Sequence, residues 1–204
     1  MAIRRMKIAV DIDDVVADSL EATRLWANQK AGVDLQPHHY HVDEDYWSYY
    51  NRIWASHGIP ETINFDVFMA DLAAGLIDTP LVAGAAFAIK ELSKHHDIVL
   101  ITSRDPVQET ATRQWLDQNL SPDIPLYFAN NPLVNINASS KGELCAQLGA
   151  ELLIDDNINN CQSAIDHDVD AVVFGFYGWN EKSEAHLVRC KDWPAVLEYI
   201  DARR

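Results

Sequence analysis

Residues 7–19 read KIAVDIDDVVADS, and the fold turns on how that stretch is read. Ile8, Ala9 and Val10 form an apolar run too short to span a membrane and suited to a strand buried on both faces. Asp11, Asp13 and Asp14 follow at once, with only Ile12 among them. Carboxylates crowded at the end of a buried strand repel one another and disfavour strand structure. Sequences keep such a conflict mainly where the charges are used. In extended backbone, positions i and i+2 point the same way, which aims Asp11 and Asp13 into one pocket and Asp14 away from it. Two carboxylates facing one spot suit a divalent metal ion, or an acid/base pair whose pKa values are pushed apart. The competing reading is a helix N-terminus, where Asp serves as cap and dipole partner for a helix over Val15 to Trp26.

Outward from this stretch, Val15 to Ala31 carries a helical pattern that includes Leu20, Trp26 and Ala27. From about Gly32 to Thr79 the chain holds no convincing buried strand and is dense in aromatics. Short helices fit Asp43 to His57 and Asn64 to Gly75. From Pro80 onward helices and strands alternate: helix over Gly84 to His96, strand over Ile98 to Thr102, helix over Pro106 to Asn119, strand over Leu126 to Ala129. The alternation continues with helix Ser139 to Leu148, strand Leu152 to Ile154, helix Ile158 to His167, strand Ala171 to Gly175 and helix Trp193 to Ile200. That order predicts an α/β protein with an open, mostly parallel sheet flanked by helices. Sites in such sheets lie beyond the carboxyl ends of the strands.

Those ends carry chemistry. The IVLI strand runs into Thr102, Ser103, Arg104 and Asp105, and the LLI strand into Asp155, Asp156 and Asn157. Lys141 stands just inside a helix opened by Ser139 and Ser140, on the unfavourable side of the helix dipole. Singly, each has a plain structural explanation as a cap or a solvated face. Together, at one sheet edge, they supply carboxylates for Mg²⁺, a nucleophile, a hydroxyl donor and a cation, the parts needed for phosphoryl transfer.

Composition bounds the rest. The 204 residues suit one domain, or one domain with a modest insertion. The formal net charge of −15 argues against nucleic-acid polymers and anionic membranes, but not against a small phosphorylated substrate, since a bound cation reverses the local sign. No stretch reads as a signal peptide or membrane span, and Cys145, Cys161 and Cys190 form no CxxC pair, so we expect reduced thiols in a cytoplasmic protein.

In these residues the chain resembles the haloacid dehalogenase superfamily of aspartate-nucleophile phosphatases. The DxDx[TV] motif corresponds to Asp11-Ile12-Asp13-Asp14-Val15, the strand-ending hydroxyl to Thr102 in ITSR, the lysine to Lys141 and the acidic pair to Asp155-Asp156. All occur in the family's order, and the resemblance covers the whole chain. It implies a Rossmann-like core over residues 1–15 and 80–204, with a small helical cap over 16–79 inserted after the first strand. The cap's length and aromatics, with the FGFYGWN segment, resemble the 5'(3')-deoxyribonucleotidase branch and its bacterial relatives.

The resemblance also assigns roles. Asp11 would be the nucleophile and Asp13 the acid and base. Thr102 and Lys141 would hold the transferring phosphoryl group. By position Ser103 and Arg104 are further candidates for the phosphate, and Arg104 could pair with a second phosphate or carboxylate, or equally with Asp105 or another acid on the protein. Mg²⁺ would be held by Asp11, by Asp13 through its main-chain carbonyl, and by Asp156, with Asp155 holding the metal's waters or Lys141. Asp13 favours phosphate esters over haloacids, whose departing halide needs no acid. In the cap, Tyr46, Trp47 and Tyr50 are candidates to stack on a base, whereas Trp26 and Trp54 read as core. His38, His39 and His41 read as surface residues. The expectation is therefore an Mg²⁺-dependent phosphatase acting on a (deoxy)nucleoside monophosphate. The alternatives are another small ester such as a sugar phosphate, or a non-catalytic phosphate-binding module.

Overall fold

Fully apolar runs such as IAV, IVLI, LLI and AVV can satisfy their backbone only inside a sheet covered on both faces. The computed structural model, which describes residues 4–42, 49–120, 123–129, 140–182 and 186–203, puts them there. Its strands are β1 (Lys7–Val10), β2 (Asp97–Thr102), β3 (Leu126–Phe128), β4 (Leu152–Asp155), β5 (Asp170–Phe174) and β6 (Val188–Cys190). They form one six-stranded sheet in the order β3-β2-β1-β4-β5-β6, and every neighbouring pair is parallel. The α-helices of the described residues are α1 (Ser19–Ala31), α2 (Tyr49–Ser56), α3 (Phe65–Ala73), α4 (Ala85–Ser93), α5 (Glu109–Asn119), α6 (Lys141–Gln147), α7 (Ile158–Asp166) and α8 (Trp193–Asp201).

The chain falls into two compact units. The first comprises Met1–Ala17, Leu81–Gly175 and Ser183–Arg204, and it holds the sheet. On one face Ala9, Val99, Ile101, Leu153 and Val173 pack with Cys145, Cys161 and Ala164 from α6 and α7. Alternation turns Ile8, Val10, Leu100, Ile154 and Val172 to the other face, and these too are buried. Trp193, wholly buried at the start of α8, donates from its indole nitrogen to the Val15 carbonyl at 2.9 Å. The three cysteines are buried and free.

The second unit comprises Asp18–Pro80 and Phe176–Lys182. Its core is aromatic: Trp26, Tyr40, Tyr49, Tyr50, Trp54 and Phe68 are all buried. The Trp54 indole donates to the Tyr40 hydroxyl at 2.8 Å, and that of Trp26 donates to Asp71 at 2.9 Å. Sequence reading assigned 176–182 to the core; here the segment clusters with the second unit. Gly178 explains why, since a Cβ there would lie 2.2 Å from the Val42 carbonyl oxygen. Trp179 adds an edge-on contact to Tyr49, with ring centroids 5.1 Å apart.

Two further differences have local causes. Helix α1 begins at Ser19 rather than Val15, because Asp18 is its cap and accepts from the Glu21 N–H at 3.1 Å. The residues before it form a tight turn in which Asp14 has a φ of 58° and Ala17 donates to the Ile12 carbonyl at 2.8 Å. Aspartate is among the few non-glycine residues that adopt this left-handed conformation readily. Strand β6 was not expected, since VRC offers only three residues with a cation in the middle.

Candidate active site

Parallel pairing decides what meets what. Val10 of β1 is in register with Leu100 of β2 and with Ile154 of β4. The residues that follow, Asp11, Thr102 and Asp155, therefore emerge along one edge, where the chain runs from β1 outward through β2 to β3 on one side and crosses back to β4 on the other. That reversal is the topological switch point at which open α/β sheets bind ligands. The Asp11 N–H extends the β1–β4 ladder by donating to the Ile154 carbonyl at 2.9 Å.

Lys141 reaches the same place from α6. Ser140 caps that helix by accepting from the Glu143 N–H at 3.1 Å, and Ser163 of α7 donates to the Ser140 hydroxyl at 2.8 Å. Between α6 and α7 sits Gly142, where a Cβ would meet the Ser163 carbonyl oxygen at 2.1 Å. Only glycine lets the helices close so far and carry Lys141 inward. The ammonium lies 2.7 Å from Asp11 Oδ1 and 2.7 Å from Asp155 Oδ2, and its side chain is 2% exposed.

Asp11, Asp155 and Asp156 are all buried, and each offers an oxygen within 4.8 Å of the other two. Burial pushes the Asp11 carboxyl up to about 7, with the charges of Asp155 and Asp13 adding to the rise and Lys141 opposing it. Asp156 is raised well above the ordinary carboxylate range, again by burial first and then by Asp155, Asp11 and Asp14. Burial alone would lower the Lys141 pKa, but Asp11 and Asp155 outweigh it and hold the lysine charged. One ammonium among these carboxylates leaves a local excess of negative charge. The donor set is therefore hard, oxygen-only and anionic, which fits Mg²⁺.

The other expected residues divide. Thr102 is fully buried and its hydroxyl accepts from the Arg104 N–H at 3.1 Å, a bond that leaves the hydroxyl proton able to donate elsewhere. Ser103 is half-buried beside it. Arg104 grips the Asp13 side chain, with Nη2 2.6 Å from Oδ1 and Nε 2.9 Å from Oδ2. Asp13's side chain is thus engaged by the arginine and stands outside the carboxylate trio. Tyr46 and Trp47 lie outside the described residues. Tyr50 is 7% exposed and stacks on Phe65 at 4.9 Å, so its ring is committed to the second unit's own packing.

Sequence reasoning missed two contributors. Asp14 was expected to point away from Asp11, but it is buried, and its charge is felt at both Asp156 and Arg104. Strand alternation does not apply to it because β1 ends at Val10 and the backbone turns at Asp14. Asn160 of α7 donates to Asp155 at 3.1 and 3.3 Å, while the Asn157 N–H donates to the same carboxylate at 2.9 Å. The available signal was the cap: Asn157 opens α7, and that places Asn160 on its first turn, next to the acidic pair.

No protein-family model and no curated protein matches this sequence. Solved structures do match along nearly its whole length. A conserved haloacid dehalogenase-like protein of unknown function from Agrobacterium tumefaciens has a TM-score of 0.66 at 13% identity, covering 98% of this chain and 99% of its own. YfnB of Bacillus subtilis, of the HAD-hydrolase type and bound to magnesium, has a TM-score of 0.63 at 12% identity, covering 97% and 100%. CbbY of Rhodobacter sphaeroides, in complex with phosphate, has a TM-score of 0.57 at 15% identity, covering 93% and 95%. At such identities the likeness is one of fold. The fold of this chain is the Rossmann-like α/β fold of haloacid dehalogenase-like hydrolases. No helix among the described residues is long and apolar enough to cross a membrane.

Proposed function

We propose that this protein is a phosphatase that hydrolyses a small phosphate monoester through an aspartyl-phosphate, with residues 16–79 as its helical cap. The observation that carries the reading is the convergence of Asp11, Lys141, Asp155 and Asp156 at the switch point of the sheet. A buried carboxylate beside a buried ammonium is suited to accept a phosphoryl group, because the cation offsets the approach of one anion to another.

Asp11 would attack phosphorus in line, forming a carboxylate–phosphorus bond as the ester P–O bond breaks. Asp13 would give a proton to the departing alkoxide, and would then take one from the water that cleaves the aspartyl-phosphate and restores Asp11. Lys141 and the Thr102 hydroxyl would donate to the non-bridging oxygens. Asp155 would act indirectly: fixed by Lys141, Asn160 and the Asn157 N–H, it holds the ammonium in line with Asp11. The Asp11 and Asp156 carboxylates and the Asp13 main-chain carbonyl would hold Mg²⁺, which would supply Lewis-acid charge at the phosphate. The magnesium-bound and phosphate-bound neighbours support that chemistry by analogy of fold.

For substrate we favour a (deoxy)nucleoside monophosphate, a 5'-nucleotidase type of activity. The support is the resemblance of the cap and of the FGFYGWN segment to that branch. Another small ester, such as a sugar phosphate, is the alternative. The test is a panel of phosphate esters assayed with wild-type and Asp11→Asn protein, with and without EDTA. Hydrolysis led by nucleotides and lost in both the variant and the chelated enzyme is expected. Turnover by Asp11→Asn would sink the nucleophile assignment, and equal rates on nucleotides and aliphatic phosphates would sink the nucleotidase one.

A further inference from the structure

Arg104 at this edge has its side chain engaged by the protein. Placed directly after Thr102 and Ser103, it looks available to an anionic substrate. Instead its guanidinium is spent on the protein. Nη2 and Nε hold the two oxygens of Asp13, Nη1 donates to the Thr112 hydroxyl of α5 at 3.2 Å, and the side chain is 9% exposed. The partner carboxylate is 31% exposed, so it is anchored from the protein side while part of it stays open.

Resting on the phosphatase reading, we propose that Arg104 is a positioning residue for Asp13, fixing the plane of the carboxylate that carries the leaving-group proton. One nitrogen on each oxygen means that the carboxylate cannot rotate about its terminal torsion without breaking a charged hydrogen bond. The fork occupies one edge of the carboxylate and leaves the opposite lone pairs for a proton. Thr112 fixes the far side of the guanidinium, so the plane of Asp13 is referred to helix α5 rather than to its own turn. A buried pair of this kind is a poor device for stability, because desolvation cancels much of the attraction. It is a good one for orientation. Lysine would keep the charge but, as a point donor, would release the rotation.

The test separates leaving groups. An alkyl phosphate needs the proton from Asp13, whereas 2,4-dinitrophenyl phosphate departs without one, and kcat/KM reports the step in which the ester breaks. For Arg104→Ala, with folding checked by thermal melting, kcat/KM on the best alkyl monoester should fall about 100-fold, the lower range of what a positioned acid contributes. The dinitrophenyl ester should be nearly unaffected. Arg104→Lys should show the same selective loss, and Thr112→Val, which leaves both charges in place, a smaller one of the same pattern. Equal losses on both esters in these variants would overturn the proposal, since they would mean that Arg104 serves the phosphoryl group common to both. Unchanged rates on both would overturn it too. If the wild-type protein hydrolyses neither ester, or Asp11→Asn hydrolyses them normally, the phosphatase reading itself falls and takes this inference with it. The wild-type and Asp11→Asn controls therefore tell the two failures apart.

Discussion

The ammonium of Lys141 and the carboxylate of Asp11 lie 2.7 Å apart, with side chains 2% and 7% exposed, although one belongs to the turn after β1 and the other to the start of α6. Neither charge has water to fall back on: Asp11 and Asp155 hold the lysine charged, while Lys141 opposes the burial and the neighbouring carboxylates that raise the Asp11 pKa.

Replacing Lys141 with methionine should therefore cost about 3–5 kcal/mol of unfolding free energy near neutral pH, the usual penalty for removing one partner of a buried pair. Urea denaturation measures it. The loss should shrink at pH 5, where the abandoned carboxylates can take up protons. A variant as stable as the wild type at pH 8 would contradict the burial described here.

The raised carboxyls set a pH dependence of the metal-free protein. Asp11 titrates at about 7 when folded against an ordinary 3.8, and Asp156 is shifted the same way. Between those values the folded state holds protons that the unfolded chain has released, so stability falls as pH rises from about 4 to about 7. A cation needs the charged forms, so Mg²⁺ should stabilise the protein at pH 8 and have little effect at pH 5. At a hundredfold excess over its Kd the gain is about 2.7 kcal/mol, or several degrees in Tm. Thermal melts in EDTA and in Mg²⁺ at the two pH values check both halves.

Gly142→Ala puts a methyl group 2.1 Å from the Ser163 carbonyl oxygen, so α6 must lift from α7. The expected destabilisation is about 1–3 kcal/mol. Activity should fall further than stability alone explains, because Lys141 moves with the helix. Melting and kcat measured on one preparation separate the two effects.

Asn160→Ala removes two hydrogen bonds to Asp155 without touching Asp11 or Lys141 directly. A loss of about 1–2 kcal/mol in stability is expected from the lost bonding to a charged group, since Asp155 keeps Lys141 and the Asn157 N–H. Residues that orient the carboxylates around a metal also tune it, so Mg²⁺ affinity should drop about 10- to 100-fold. A titration followed by Tm or calorimetry reads it.

How much of this could be read from residues alone depends on how local the cause was. The strands carrying IAV, IVLI and LLI were legible because burial on both faces leaves an uninterrupted apolar run. Lys141 was legible because a cation at the start of a helix contradicts the dipole and demands a reason. Asp14 was misread, since the two-residue alternation holds only while the backbone stays extended, and it turns at that residue. The partner of Arg104 was not legible, because any of several acids could have met it and only the fold brings Asp13 there. The role of Tyr50 was equally closed to sequence. An aromatic at helical spacing looks the same whether it lines a core or a substrate, and here Tyr50 is itself one of the buried residues of the second unit's core.

The long excursion between β1 and α4 leaves and re-enters the first unit at one place. Ala17 and Leu81 are bridged antiparallel, and the Val82 N–H donates to the Val16 carbonyl at 2.8 Å. The two cut ends are thus neighbours in space, and a tight turn could join them with little loop-closure entropy. Everything between those two residues, together with the Phe176–Lys182 segment that packs with it, can therefore be lengthened, shortened or replaced without moving the ends of β1 and α4.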